Sequence, residues 1–166
     1  MTQADEAATQ QAARPKPAAP AAGAGALLQL LRDGAPRTRS ELAAVTGLAR
    51  STVTQRVDAL LASGLIGPTG EAASTGGRPP TTFAFKPDAR VVLAADLGAT
   101  HARLAVTDLA GMVLAETRAD LDIATGPQPV LDWVIAHGQQ LLSEIDRASD
   151  DLLGIGIGLP GPVEHS

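Results

Sequence analysis

Residues Thr38–Ile66, TRSELAAVTGLARSTVTQRVDALLASGLI, decide the fold. Thr38-Arg39-Ser40-Glu41 has the capping-box form, in which the threonine hydroxyl accepts from the Glu41 amide and the glutamate reaches back to the Thr38 amide. The helix opened there is expected to turn Leu42, Ala43 and Val45 inward and to stop near Thr46-Gly47, where glycine accepts a left-handed backbone. A second helix starts around Ala49-Arg50 and shows Val53, Val57, Leu60 and Leu61 as one apolar stripe. Opposite the stripe stand Arg50, Ser51, Thr52, Thr54, Gln55 and Arg56, donors and acceptors suited to phosphates and base edges. That is the pattern of a helix-turn-helix whose second helix enters the major groove of DNA. The alternative is a helical hairpin packed for its own sake, with a solvated polar face. Against it stands the order of helix, glycine turn, Ser/Thr/Arg/Gln-rich helix and closing Gly-Leu-Ile. One local rule is broken: the N-cap position of the second helix is Ala49, where Ser or Asp would add about 1 kcal/mol.

Working outward, Leu27, Leu30 and Leu31 form one face of a short helix over about residues 24–32, stopped by Asp33-Gly34-Ala35-Pro36. After the helix-turn-helix, Leu65-Ile66-Gly67 and Thr81-Thr82-Phe83-Ala84-Phe85 read as strands, and residues 68–80 between them are all turn formers. Two strands and a loop directly after a recognition helix make a wing. Gly76-Gly77-Arg78 is its expected DNA-contacting tip: the glycines let backbone approach the duplex, and one arginine can enter a narrow minor groove. A flexible loop with a solvated arginine is the competing reading. Residues 24–86 are thus expected to be a DNA-binding domain, and the Ala/Gln/Pro-rich residues 1–23 a disordered tail.

A different pattern follows a short hinge at residues 87–90. Val91-Val92-Leu93-Ala94-Ala95 is a near-continuous apolar run, the mark of a strand buried on both faces. Strands at Leu104–Asp108 and Met112–Thr117, an amphipathic helix over Gln128–Arg147, and a glycine-thinned central strand at Leu153–Gly158 complete a βββαβ order. Asp96, Gly98 and Thr100 have the makings of a phosphate turn: glycine lets amides approach an anion, Thr100 offers a hydroxyl, and Asp96 could hold a metal-bound water. An ordinary hairpin turn explains the same residues. The βββαβ sheet alone is expected to leave an apolar face uncovered.

Composition supports two unlike halves. Residues 1–90 hold 10 Lys/Arg against 7 Asp/Glu, whereas residues 91–166 hold 3 against 11, so a basic front is joined to an acidic back. Aromatics make up 2% of the chain, which leaves Ala, Val, Leu and Ile to build any core. The absence of cysteine excludes disulfides and thiolate metal sites within these residues. No apolar run approaches a membrane span, and the start lacks the form of a signal peptide, so the expected location is cytoplasmic.

With these pieces assembled, the chain resembles the ROK family (repressors, open reading frames and kinases), and within it the transcriptional repressors. The likeness covers about residues 24–164. It rests on LARSTVTQRVDALLASGLI, the wing STGGRPPTTFAF, the lobe start AADLGATHARLAVTDLAG, and GIGIGLPGPV, in that order. The resemblance implies an α+β winged helix-turn-helix followed by a partial α/β actin-like (ribonuclease H-like) lobe of sugar-kinase type. It also implies binding to double-stranded operator DNA as a homodimer or higher assembly, modulated by a sugar effector. The family's kinases usually carry Gly-Gly-Thr-Lys at the phosphate turn; this chain has Gly98-Ala99-Thr100-His101, which looks like a vestigial turn in a repressor, not an enzyme. The family's Asn-Asp sugar segment and its His/Cys zinc motif are expected beyond Ser166, so no catalytic residue, metal or other cofactor is expected within the chain. A sugar-kinase fragment and a winged-helix protein-interaction module are the alternative readings.

Overall fold

The computed structural model describes residues 23–72 and 79–161. Helix α1 (Ala24–Leu31) precedes a two-residue strand, β1 (Arg37–Thr38), which runs straight into α2 (Arg39–Thr46). The capping box forms as its sequence requires: the Glu41 amide donates to Thr38 Oγ1 at 3.2 Å and the Thr38 amide donates to Glu41 Oε2 at 2.7 Å. Gly47 ends α2 at φ 67°, the left-handed turn that lets α3 (Arg50–Ala62) cross it. No side chain caps α3 at Ala49.

Strands β2 (Ile66–Glu71) and β3 (Thr81–Phe85) form the wing, and β1 adds to the far side of β3, giving the order β1-β3-β2. Two expectations fail here. The loop read as beginning at Pro68 is strand through Glu71. Pro68 is tolerated because β2 is an edge strand, and the register slips between Pro68 and Gly70, where glycine sits at φ 145°. The third strand carried no signal, since two residues are too few to show alternation. Leu27, Leu31, Leu42, Val53, Val57, Leu60, Ile66 and Phe83 close one core beneath these elements. Val45, expected inside, is 62% exposed: Leu42 alone of α2 is buried, because so short a helix meets the core along a single turn.

A 3₁₀ turn over Pro87–Ala89 leads into the lobe. Strands β4 (Val91–Leu97), β5 (His101–Asp108) and β6 (Val113–Asp120) form an antiparallel meander, α4 (Pro127–Glu144) crosses one face, and β7 (Leu152–Gly158) returns parallel to β4. The sheet order is β6-β5-β4-β7. Val91, Leu93, Ala95, Leu97, Leu104 and Val106 pack beneath Val130, Val134, Leu141 and Leu142 of α4. Gly138 permits that close approach: a Cβ there would lie 2.9 Å from Leu93 Cδ2.

Two corrections concern this sheet. β4 was expected to be buried on both faces, yet its burial alternates; Ala94 and Asp96 are exposed because, among the described residues, only one face carries a helix. β7 was expected to be central and is an edge among the described strands. Its Ile155 and Ile157 lie in register with Leu93 and Ala95, on the helix-bearing face, but beyond the reach of α4.

The two units touch. The Leu109 amide donates to the Pro87 carbonyl at 3.0 Å, Arg147 Nη2 donates to the Asp88 carbonyl at 2.9 Å, and the Leu109 side chain packs on the winged-helix core.

Candidate nucleic-acid interface

Burial of Val53, Val57 and Leu60 fixes the roll of α3, and with it which residues face outward. Ser51, Gln55 and Asp58, at i, i+4 and i+7, form the outward stripe, flanked by exposed Arg50 and Thr54. Thr52 and Arg56 are half-buried. The side chain of Arg56 runs along the flank of α3 toward α1, and its guanidinium lies against Gly23, where any Cβ would collide with it. The sequence reading set Arg56 opposite the apolar stripe. The structure puts it beside the stripe, because one residue before Val57 means about 100° of rotation, not the 180° of an opposed position.

The wing hairpin is held to its last described rung, where the Ala72 amide donates to the Pro80 carbonyl at 2.9 Å. Thr69 and Thr82 share a hydroxyl contact of 3.1 Å on its surface. Gly76, Gly77 and Arg78, the expected tip, lie outside the described residues.

Charged side chains brace the unit from beneath. Arg37 donates to the Leu30 carbonyl at 2.6 Å and through Nη1 to Asp33 at 2.8 Å, closing the end of α1. That guanidinium, helped by the Ala35 amide, holds the Asp33 carboxyl down at about 2. Glu41 is likewise held below the usual carboxylate range, first by the Thr38 amide. Arg39, the first residue of α2, donates from Nη2 to Asp58 Oδ1 at 2.7 Å and lies over the Phe83 ring, 4.5 Å from its centroid. Arg39 and Asp58 escaped the sequence reading: neither position carries a periodic signal, and they are nineteen residues apart.

In the lobe, Asp96, Gly98 and Thr100 fall at the β4–β5 turn, closed by the Gly98 amide donating to the His101 carbonyl at 2.8 Å. The His101 imidazole lies against Gly98, filling the space that a Cβ would occupy. The Ala99 and Thr100 carbonyls accept from Ile123 and Leu121 at 3.1 and 3.2 Å, which ties the turn to the strap before α4. Asp96, His101, Arg103, Arg118 and Asp120 line an open depression of about 500 Å³ on the sheet face away from α4. Arg103 is engaged there by Glu116, which Arg118 also approaches at 3.4 Å.

These features define a winged helix-turn-helix protein with an α/β lobe behind it. A helix-turn-helix domain family matches residues 25–67. The xylose repressor of Bacillus spizizenii is 28% identical over 84% of this chain and 36% of its own length. The DNA-binding transcriptional dual regulator NagC of Escherichia coli is 29% identical over 84% of this chain and 34% of its own. A crystal structure of a ROK family transcriptional regulator, a homologue of the E. coli MLC protein, superimposes with a TM-score of 0.65 at 24% identity, over 83% of this chain and 35% of that one. The chain is thus similar in sequence to these transcriptional regulators and in fold to a ROK family member, and it spans about a third of the length of the relatives it matches.

Proposed function

We propose that this chain is the operator-binding front portion of a sugar-responsive transcriptional repressor. The observation that carries the reading is the outward face of α3: Arg50, Ser51, Thr54 and Gln55 stand exposed on the first turns of a helix whose opposite side is locked in a closed core. In this reading Ser51, Thr52 and Gln55 reach base edges in the major groove. Arg50 meets phosphate, and so does Arg56 from the flank. The wing residues Gly76, Gly77 and Arg78 follow the neighbouring minor groove. Two copies bind a two-fold operator, as helix-turn-helix dimers do. Similarity to the xylose repressor supports a sugar as the effector class.

The β4–β5 turn is vestigial in this account, with no phosphate chemistry assigned to it. The His101 ring over Gly98 stands where an approaching phosphate would meet the backbone, which supports a regulator over a sugar kinase. The test is selection of duplexes from a random-sequence pool by the full chain, followed by affinity measurement across salt concentrations. Enrichment of one motif, with a salt slope reporting several phosphates, is expected. Failure to enrich any sequence at low salt overturns the proposal. Gln55→Ala is expected to cost about 1–3 kcal/mol on the enriched duplex and to relax a single base position.

A further inference from the structure

We infer that Arg39 is a positioning residue for sequence reading: it fixes the recognition helix to the wing and silences the one acid on the reading stripe. This rests on the DNA-binding function proposed above. Asp58 shares the outward stripe of α3 with Ser51 and Gln55, so a carboxylate sits on the face that has to approach phosphates. A bare anion there opposes docking. Arg39 Nη2 meets Asp58 Oδ1 at 2.7 Å, in a pair whose side chains are 37% and 56% exposed. The charge is therefore cancelled at the surface by a cation from α2.

The second half of the geometry is the stack on Phe83. Phe83 belongs to β3, the middle strand of the wing sheet, paired with Arg37 of β1 and Pro68 of β2. One guanidinium thus links the first turn of α2, the third turn of α3 and the centre of the wing sheet. The link is specific to arginine. A lysine carries a single ammonium, which could reach Asp58 or sit over the ring but not serve both at once. The arrangement also has a cost that pure packing would avoid: Arg39 Nε is buried without a hydrogen-bond partner among the described residues. A leucine or methionine would cover Phe83 with no such penalty, but would leave Asp58 uncompensated. The wing and α3 read adjacent grooves in the proposed complex, so their relative orientation sets which bases are reached together.

The experiment uses the full chain and two probes: a duplex enriched from a random pool by the wild-type chain, and an unselected random duplex of equal length. The readout is the ratio of the two affinities, with thermal midpoint measured alongside. Arg39→Lys and Asp58→Asn are each expected to lower that ratio about tenfold, and the double variant to fall no further than the worse single one. Arg39→Lys, which keeps the charge, is expected to keep near-wild-type affinity for the random duplex, whereas Asp58→Asn, which removes a carboxylate from the DNA-facing side, is expected to strengthen binding to the random duplex more than to the enriched one. An unchanged ratio accompanied by a lower thermal midpoint would make Arg39 a structural brace and overturn the inference. Arg39→Ala cutting the salt slope by about one, with Asp58→Asn strengthening both duplexes equally, would make Arg39 a direct phosphate contact and also overturn it. A wild-type chain that binds neither duplex overturns the proposed function itself, and this inference with it.

Discussion

The winged helix and the lobe solve the same problem to different extents. In the winged helix, every element turns its apolar side to one core, and Val45 is the one large hydrophobic left exposed among its described residues. In the lobe, α4 seals the face of β4 and β5, while Leu153, Ile155, Ile157 and Leu159 on and just after β7 remain exposed, with Leu131 and Ile135 exposed on α4 itself. A closed core needs apolar residues matched on both sides of a contact. The winged helix has both sides within its described residues; the β7 side of the lobe has only one. The winged helix is therefore expected to carry its own stability, and the lobe to depend on whatever covers β7.

The largest expected effect tests that difference with one lesion in each unit. Leu60→Ala removes a fully buried side chain from the closed core and should cost about 2–5 kcal/mol, read by chemical denaturation. Ile155→Ala trims a side chain that is 54% exposed and should stay within about 0.5 kcal/mol in the chain as it stands. Equal losses would mean that β7 is covered after all, and the comparison would break. A second lesion asks how tight the lobe is where it is covered. Gly138→Val forces new carbons toward Leu93 and should cost about 1–3 kcal/mol. A neutral result would show that the sheet and α4 pack more loosely than the 2.9 Å approach indicates.

The same contrast governs how much was legible in the sequence. The helix-turn-helix could be read because each of its rules is local: the Thr38/Glu41 box, the Gly47 turn and the stripe Val53, Val57, Leu60 all repeat within a few residues. Strand β1 could not, since Arg37 and Thr38 are strand only through Phe83 and Thr82, more than forty residues away. Strand β7 was misplaced for a related reason. Its alternation of Gly with Leu and Ile identifies a strand but says nothing of which neighbours it gains, and β4 supplies one side only. Among candidate interface residues, position along α3 was legible, while the departure of Arg56 toward Gly23 depends on where α1 lies. The Arg39–Asp58 pair is tertiary in the same sense.

A smaller effect concerns the cap. Thr38→Ala removes the hydroxyl that accepts from Glu41 and should cost the winged helix about 1 kcal/mol, without altering hydrogen exchange in the lobe. If protection in the lobe falls equally, the contacts of Leu109 and Arg147 across the Pro87–Ala89 turn make the two units one cooperative body. The comparison would then describe packing but not stability.

The smallest expected effect is in the response to acid, and its sign follows from the carboxylates. Asp33 is held from its ordinary 3.8 down to about 2, chiefly by Arg37, and Glu41 is lowered by the Thr38 amide. In both cases the unfolded chain binds the proton more readily than the folded one, so folding stability rises with pH across the interval between the two pKa values. The contribution of Asp33 is complete above its unfolded value of 3.8 and disappears as pH falls through its folded value near 2. The lobe has one such group among the described residues, Glu116 beside Arg103. All three are exposed to solvent and screened by salt, so each shift is expected to be small. Asp33→Asn should lower stability slightly at neutral pH, and the gap from wild type should narrow as the solution is acidified below 3.8. A gap that stays constant with pH would show that the Arg37 contact to the Leu30 carbonyl, not the ion pair, holds the end of α1.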